Sequence, residues 1–167
     1  MATPTNLPAA AVSGEILTAS YVNNLRGAFR VLQVVQGVAN LQLDNSTQTP
    51  TTTGLTATIT PQSVTNKILV LVSQVSCLKT SGNSQSAITL LLLRGATTIQ
   101  QFAQFGLYTD SLVQNRGNFS TVYLDSPATT SAVTYSTQFA NAVTAASVSV
   151  CAGNGAQATI TLIEISA

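Results

Sequence analysis

The segment KILVLVSQVSCL (67–78) decides the fold class of this chain, and SAITLLLL (86–93) repeats its character. Both segments consist mainly of aliphatic and β-branched residues, and turn-forming residues such as Pro, Gly, Ser and Asn flank them, which is typical of strands. The first half of 67–78 is apolar at odd and even positions alike. We therefore expect both faces of this strand to be covered, by a second layer of the protein or by another subunit.

Most of the chain beyond residue 30 alternates apolar and polar residues with the period of a β-strand. Strands are predicted at 30–37, 41–43, 55–60, 67–78, 86–93, 97–105, 119–124, 132–139, 147–151 and 158–165. Because no helical pattern separates them, the sheets should be largely antiparallel. The pattern predicts an all-β, antiparallel, jelly-roll-like β-sandwich. Asn154-Gly155 predicts a two-residue hairpin before the last strand.

Charge is scarce in this sequence. The chain has 6 Lys and Arg, 5 Asp and Glu and no His, and charged residues make up 7% of it, against about 25% in ordinary soluble domains. General acid–base catalysis uses His, Asp, Glu or Lys at tuned pKa values, so we expect a structural protein and not an enzyme. A surface this neutral also predicts that copies of the chain cover one another.

The same composition argues against several partners and ligands. Six scattered basic residues form no stripe for nucleic acid, and no apolar run approaches the roughly 20 residues of a membrane helix. Without His or a Cys-x-x-Cys motif we expect no metal and no cofactor. Cys77 and Cys151 lie in apolar strands, where they are either two buried thiols or a disulfide between facing strands.

Only one segment predicts a helix. From Thr18 to Phe29 apolar residues recur at spacings of three and four, and Glu15 would lie near the positive N-terminal end of such a helix. We therefore divide the chain into an extended and helical segment at 1–30 and a sandwich domain at 31–167.

Two regions resemble a known class of proteins. SGEILTASYVNNL (13–25), continued by RGAFRVLQVV (26–35), resembles the N-terminal segment of tail-fibre and related virion proteins of tailed bacteriophages, cyanophages included. LDSPATTSAVTY (124–135), with KILV (67–70) and ITLIEI (160–165), resembles the C-terminal β-module of similar phage proteins.

The resemblance implies a homotrimeric surface protein of the virion, assembled in the host cytoplasm. It favours a short tail fibre or tail-tip protein that contributes to host attachment and binds other tail, baseplate or capsid proteins. A capsid decoration or head-fibre protein is the alternative, and a polysaccharide depolymerase is a third. The helix stripe would then attach the subunit to the virion through Leu17, Tyr21, Val22, Leu25 and Phe29.

The loop at 106–118 is the best candidate for host recognition. It contains side chains that stack on, and hydrogen bond to, sugars or surface proteins, namely Tyr108, Asp110, Asn115 and Arg116. The partner would be a glycan or protein of the host cell surface. The alternative is an ordinary connecting loop in which Asp and Arg neutralise each other.

Two catalytic arrangements would compete with this interpretation. A Ser–Lys nucleophile would need a desolvated lysine, whereas Lys67 and Lys79 stand at strand ends, where lysine is normally hydrated. A glycosidase would need two paired carboxylates, drawn from Asp110 with Asp125 or Asp125 with Glu164. Asp125 precedes Ser-Pro, a turn signal, and we expect Glu164 on the outer or intersubunit face of the last strand.

Overall fold

The computed structural model describes residues 31–153 and 155–166, and this part of the chain contains ten β-strands and no helix. The strands are β1 (Val31–Ala39), β2 (Leu43–Asn45), β3 (Thr51–Ile59), β4 (Lys67–Lys79), β5 (Ile88–Arg94), β6 (Thr97–Gly106), β7 (Asn115–Asp125), β8 (Val133–Asn141), β9 (Val148–Val150) and β10 (Ala158–Ile165). The helix predicted at 18–29 and the five predicted virion-attachment residues, Leu17, Tyr21, Val22, Leu25 and Phe29, lie outside the described residues.

The strands form two antiparallel sheets. The front sheet has the order β1-β10-β4-β7, and the short strands β2 and β9 extend it beside the end of β4. The back sheet has the order β3-β8-β5-β6. Among the described strands only β5 and β6 pair as consecutive neighbours. The connections from β1 to β2 and from β9 to β10 stay within the front sheet, and the remaining six that join described strands cross between the sheets. This is the strand arrangement of a jelly roll, so the predicted all-β sandwich is confirmed.

The core lies between the two sheets because every second residue points inward. Ile68, Val70 and Val72 of β4 and Ile160 and Leu162 of β10 are buried against the back sheet. Burial of each such side chain stabilises the fold by about 1.5–3 kcal/mol.

A second core cluster lies towards the far end of β4 and includes Cys77, Ile88 and Phe139. Cys77 and Cys151 are both buried free thiols, which resolves the alternative that the sequence left open. Burial, together with the neighbouring Cys151, raises the pKa of the Cys77 thiol to about 12. The thiol is therefore neutral at physiological pH.

Three local predictions were wrong. β3 begins at Thr51 and not at residue 55, because a bulge between Thr52 and Thr56, with Gly54 at φ +78°, keeps the polar segment paired to β8. β7 begins at Asn115 and not at residue 119, because β4 pairs along its whole length. Asn154 of the hairpin expected at 154–155 lies outside the described residues; Ala156 N donates to the carbonyl of Gly153 (3.4 Å), but β9 and β10 lie end to end against β4 and do not pair with each other.

The two ends of the sandwich carry different parts of the chain. One end, here called the loop end, holds the connections 46–50, 80–87, 107–114 and 142–147. At the other end, the Val31 end, the first residue of β1 pairs with Ile165 and the connections 60–66, 95–96 and 126–132 turn the chain. β7 runs between the two ends over 11 residues, which corresponds to roughly 33 Å.

Candidate functional site

The connection between β6 and β7 at 107–114 exposes an unusual number of large apolar side chains. Tyr108 is 49% exposed, Leu112 64% and Val113 52%, and Phe105 at the end of β6 is 58% exposed. Asp110 is exposed among them and carries the only charge of this connection. Clustered apolar and aromatic side chains at a surface mark binding sites. We call these five residues the loop tip.

The backbone at the start of the loop tip is sharply bent. Phe105 and Leu107 have positive φ angles of 53° and 63°, which are unfavourable for residues other than Gly, and Tyr108 N donates a hydrogen bond to the carbonyl of Phe105 (3.3 Å). A Cβ atom on Gly106 would lie 2.5 Å from the ring of Phe119. Glycine is therefore needed here for the chain to pass over the aromatic ring and turn.

A buried lysine anchors the loop tip from below. Lys79, the last residue of β4, is fully buried, and its Nζ donates to the carbonyl oxygens of Ser84 (3.0 Å), Thr109 (3.2 Å) and Ser111 (3.1 Å) and to Oγ1 of Thr109. An ammonium has three protons, so at least one is shared among these four oxygens. The oxygens are all neutral, and their dipoles replace the water that the ammonium loses.

The anchor corrects the expectation that Lys79 is hydrated. The connections at 80–87 and 107–114 close over the strand end and exclude water from the ammonium. The oxygens that contact Nζ of Lys79 are three backbone carbonyls and a threonine hydroxyl, whereas Lys67 donates to Oγ of Ser126 (2.7 Å) at the surface. Neither lysine therefore shows the desolvated Ser–Lys contact that nucleophilic catalysis needs.

The structure separates the four predicted recognition residues. Tyr108 and Asp110 lie together in the exposed loop, as expected. Asn115 is partly buried and closes the base of the loop, because its Nδ2 donates to the carbonyl of Leu107 (3.3 Å). Arg116 points to the opposite face of β7 and donates to the carbonyl of Ala152 (2.7 Å), since neighbouring residues of a strand face opposite sides.

Sequence reasoning missed four functional candidates. The sequence could have indicated three of them, because apolar residues beside a predicted loop are exposed unless the loop folds back. These three are Phe105, Leu112 and Val113. Lys79 carried no such signal, since its burial depends on two connections that are distant in sequence.

Asp125 is buried at the Val31 end and fully engaged by protein donors. Nη1 of Arg94 lies 3.0 Å from both of its carboxylate oxygens, and the Tyr135 hydroxyl donates to it at 2.6 Å. Burial and this hydrogen bond raise the pKa of Tyr135 well above its ordinary range. Asp110 lies at the opposite end of β7, so these two carboxylates form no pair.

Glu164 was expected on the outer or intersubunit face of the last strand, which is wrong. It is fully buried and accepts hydrogen bonds from Nε2 of Gln33 (2.6 Å), Nδ2 of Asn66 (2.6 Å) and the amide of Gln62 (2.7 Å). Burial acts to raise the pKa of this carboxyl, but the hydrogen bonds outweigh it and hold the pKa below its ordinary value. Glu164 and Asp125 pair with opposite sides of Ile68, and each is occupied by its own donors.

In residues 31–153 and 155–166, no three His, Cys, Asp or Glu side chains lie together as a metal site would require. The same residues contain no helix able to cross a membrane.

Comparison with known proteins gives a distant structural similarity. No family model and no curated protein matches the sequence. Among solved structures, the chain is similar to the structure of Eiger TNF from S. frugiperda, with a TM-score of 0.41 and 10% sequence identity over 81% of this chain and 93% of that chain.

Proposed function

We propose that this protein is a non-enzymatic structural component of a phage virion, a short tail fibre or tail-tip protein that contributes to host attachment. The observation that carries the proposal is the loop tip: an exposed apolar and aromatic surface, built on a buried ammonium, at the end of the sandwich opposite Val31. The resemblance of residues 13–35 to N-terminal segments of phage tail proteins also supports this proposal.

The position of Val31 gives this proposal its geometry. Segment 1–30 joins the sandwich at the Val31 end, roughly 33 Å along β7 from the loop tip. If 1–30 holds the subunit on the particle, the loop tip projects away from the attachment point. A fixed loop at that position contacts a cell surface without reorganising, which lowers the entropic cost of binding.

The chemistry of the loop tip fits a neutral partner. Tyr108 and Phe105 can stack on sugar rings, Asp110 can accept hydrogen bonds from hydroxyl groups, and Leu112 and Val113 suit the apolar surface of a protein. The partner class is therefore a glycan or protein of the host cell surface. Because Asp125 and Glu164 are buried and engaged by protein donors, the acidic residues support a binding role over a hydrolytic one.

Cell binding tests the proposal. A fluorescently labelled double variant, Tyr108→Ala with Leu112→Ala, should bind host cells at least tenfold more weakly than the unmodified protein, because loss of central contacts removes most of the affinity of an interface. Val64→Ala is the matched control, since Val64 is an exposed apolar residue at the Val31 end. Equal binding by the double variant and the control would refute the role of the loop tip.

Two further measurements separate the alternatives. Incubation of the protein with host polysaccharide should leave the polymer length unchanged, and shortening would favour the depolymerase. Cryo-electron microscopy of the particle should place the subunit on the tail. A position on the shell would favour the capsid decoration or head-fibre protein instead.

A further inference from the structure

The outer face of the front sheet carries a continuous apolar row. Strand register aligns Val34 of β1 with Ile163 of β10, Ile163 with Leu69 of β4, and Leu69 with Leu124 of β7. All four residues alternate with inward-facing neighbours, so their side chains lie on the outer face.

The next row on the same face is mixed. It consists of Gln36, Thr161, Leu71 and Val122, in the same strand order. We call the six apolar residues of the two rows the front patch: Val34, Leu69, Leu71, Val122, Leu124 and Ile163.

The front patch has no partner within the described chain. Val34 is 58% exposed, Val122 62% and Leu124 57%, and the other three members are partly exposed. The solvent face of an antiparallel sheet is ordinarily polar. Four strands about 4.8 Å apart and two rows about 7 Å apart cover roughly 270 Å². With the exposed Val31 and Val38 of the flanking rows, the apolar surface reaches the few hundred Å² at which patches mark interaction sites.

The rows on either side of the front patch mix polar and apolar residues. The row towards the loop end contains Thr159, Ser73 and Ser120 together with Val38 of β1, which is 53% exposed. In the row towards the Val31 end, the partly exposed Lys67 lies beside Ile165, which pairs with Val31. Towards the loop end the front sheet also carries the exposed charges of Arg116 and Asp44. An apolar centre with a more polar margin is the ordinary anatomy of a protein interface.

We infer that the front patch binds other copies of this chain and forms the contact around the axis of the homotrimer that the resemblance to phage tail proteins implies. This inference rests on the proposed function and adds the surface through which the copies associate. The patch is uncharged, so it offers nothing to a charged partner, whereas the neutral surface of another copy complements it. The patch and its flanking rows would form the centre of an interface of the roughly 800 Å² per partner that a stable complex buries.

Cyclic symmetry also fits the different roles that we propose for the two ends of the sandwich. Around a three-fold axis parallel to the strands, all loop tips point the same way and all Val31 ends point the other way. A two-fold axis across the strands would place loop tips at both ends, whereas a two-fold axis parallel to the strands would not, so the choice of three copies rests on the resemblance of residues 13–35. Three parallel loop tips would then bind a cell surface with an avidity above that of a single loop.

The test is the association state of the full chain. Analytical ultracentrifugation should show a trimer for the unmodified protein and a monomer for Val122→Glu with Leu124→Glu, with the association constant at least about a hundredfold weaker. Both positions are exposed, so the monomer should keep its β-sheet circular dichroism. Leu112→Glu with Val113→Glu at the loop tip is the control, because it adds the same two charges at exposed apolar positions outside the patch.

Each result decides a separate point. A trimer that persists in the double Glu variant would overturn the assignment of the patch while leaving the homotrimer intact. A monomeric unmodified protein would overturn both, and would leave cell binding to test host attachment. If the double Glu variant fails to fold, Leu124→Gln replaces it: a roughly tenfold weaker association supports the patch, and unchanged association overturns it.

Discussion

Replacement of Lys79 by Met should loosen the loop tip while leaving the sandwich folded. Met keeps an unbranched stem of similar length but removes the ammonium that contacts Ser84, Thr109 and Ser111. The three carbonyl oxygens would then lie buried without this donor. The variant therefore tests whether the buried charge holds the two connections together.

The expected magnitude follows from two opposing effects. A hydrogen bond to a charged group contributes about 1.5–3 kcal/mol, and a buried carbonyl without a donor costs about 1–3 kcal/mol. Against this, removal of the ammonium relieves a desolvation cost of several kcal/mol, and the loop can open so that water reaches its carbonyls. We expect a net loss of about 2–4 kcal/mol in the free energy of unfolding.

Two measurements report on these effects. Guanidinium denaturation gives the free energy of unfolding, and chymotrypsin cleavage after Tyr108 or Leu112 reports on opening of the loop. Lys67→Met is the matched control, because Lys67 donates to Ser126 at the surface, and it should change stability by less than about 0.5 kcal/mol. Lys79→Arg should not restore the loop, since a planar guanidinium does not replace a compact ammonium.

The reasoning would be refuted if Lys79→Met unfolded at the same denaturant concentration as the unmodified protein and its loop resisted chymotrypsin equally. Faster cleavage with an unchanged free energy of unfolding would instead show that the anchor acts on the loop alone.

Three further predictions concern buried groups. The folded pKa of Glu164 lies below its ordinary value. The carboxylate therefore stabilises the fold fully above about pH 4.3, and this stabilisation is lost as the pH falls through the folded pKa. In thermal denaturation, Glu164→Gln should differ from the unmodified protein at pH 7 and converge with it in acid. Tyr135→Phe should lose about 1–2 kcal/mol in denaturation, because Asp125 loses a buried donor, and a change below about 0.5 kcal/mol would count against that bond. Cys77 and Cys151 should react with a thiol reagent at pH 8 only on unfolding, because both are buried, and fast reaction of the native protein would contradict their burial.

Much of the fold was predictable because strand alternation is a local property. The last strand, Ala158–Ile165, has the predicted bounds, and β4 and β5 begin and end within two residues of theirs. β3 and β7 were predicted too short because their first residues, from Thr51 and Asn115, are polar. Pairing with β8 and β4 holds these residues in the sheets, and neither partner is adjacent in sequence.

The candidate site was predictable only in part. The composition of the loop singled out Tyr108 and Asp110, which the structure exposes together. It also suggested Arg116, but the side chain of Arg116 lies on the other face of β7, where it donates to the carbonyl of Ala152. Glu164 is separated from Ile160 and Leu162 by an even number of residues, so its side chain faces the core as theirs do. The cost of burying a carboxylate, however, argued for a position on the outer face of the strand. Donors from Gln33, Gln62 and Asn66 reverse that argument.

The sequence alone determined that this chain forms a neutral, antiparallel β-structure with an exposed loop in its second half, because apolar spacing and turn residues act within a few positions. Only the tertiary structure decided that Lys79 and Glu164 are buried and that six apolar residues share one outer face. The reason is physical: the energy of a buried charge depends on the donors and acceptors around it, and a surface patch depends on strand register. Both are set by residues that meet only after the two sheets have formed.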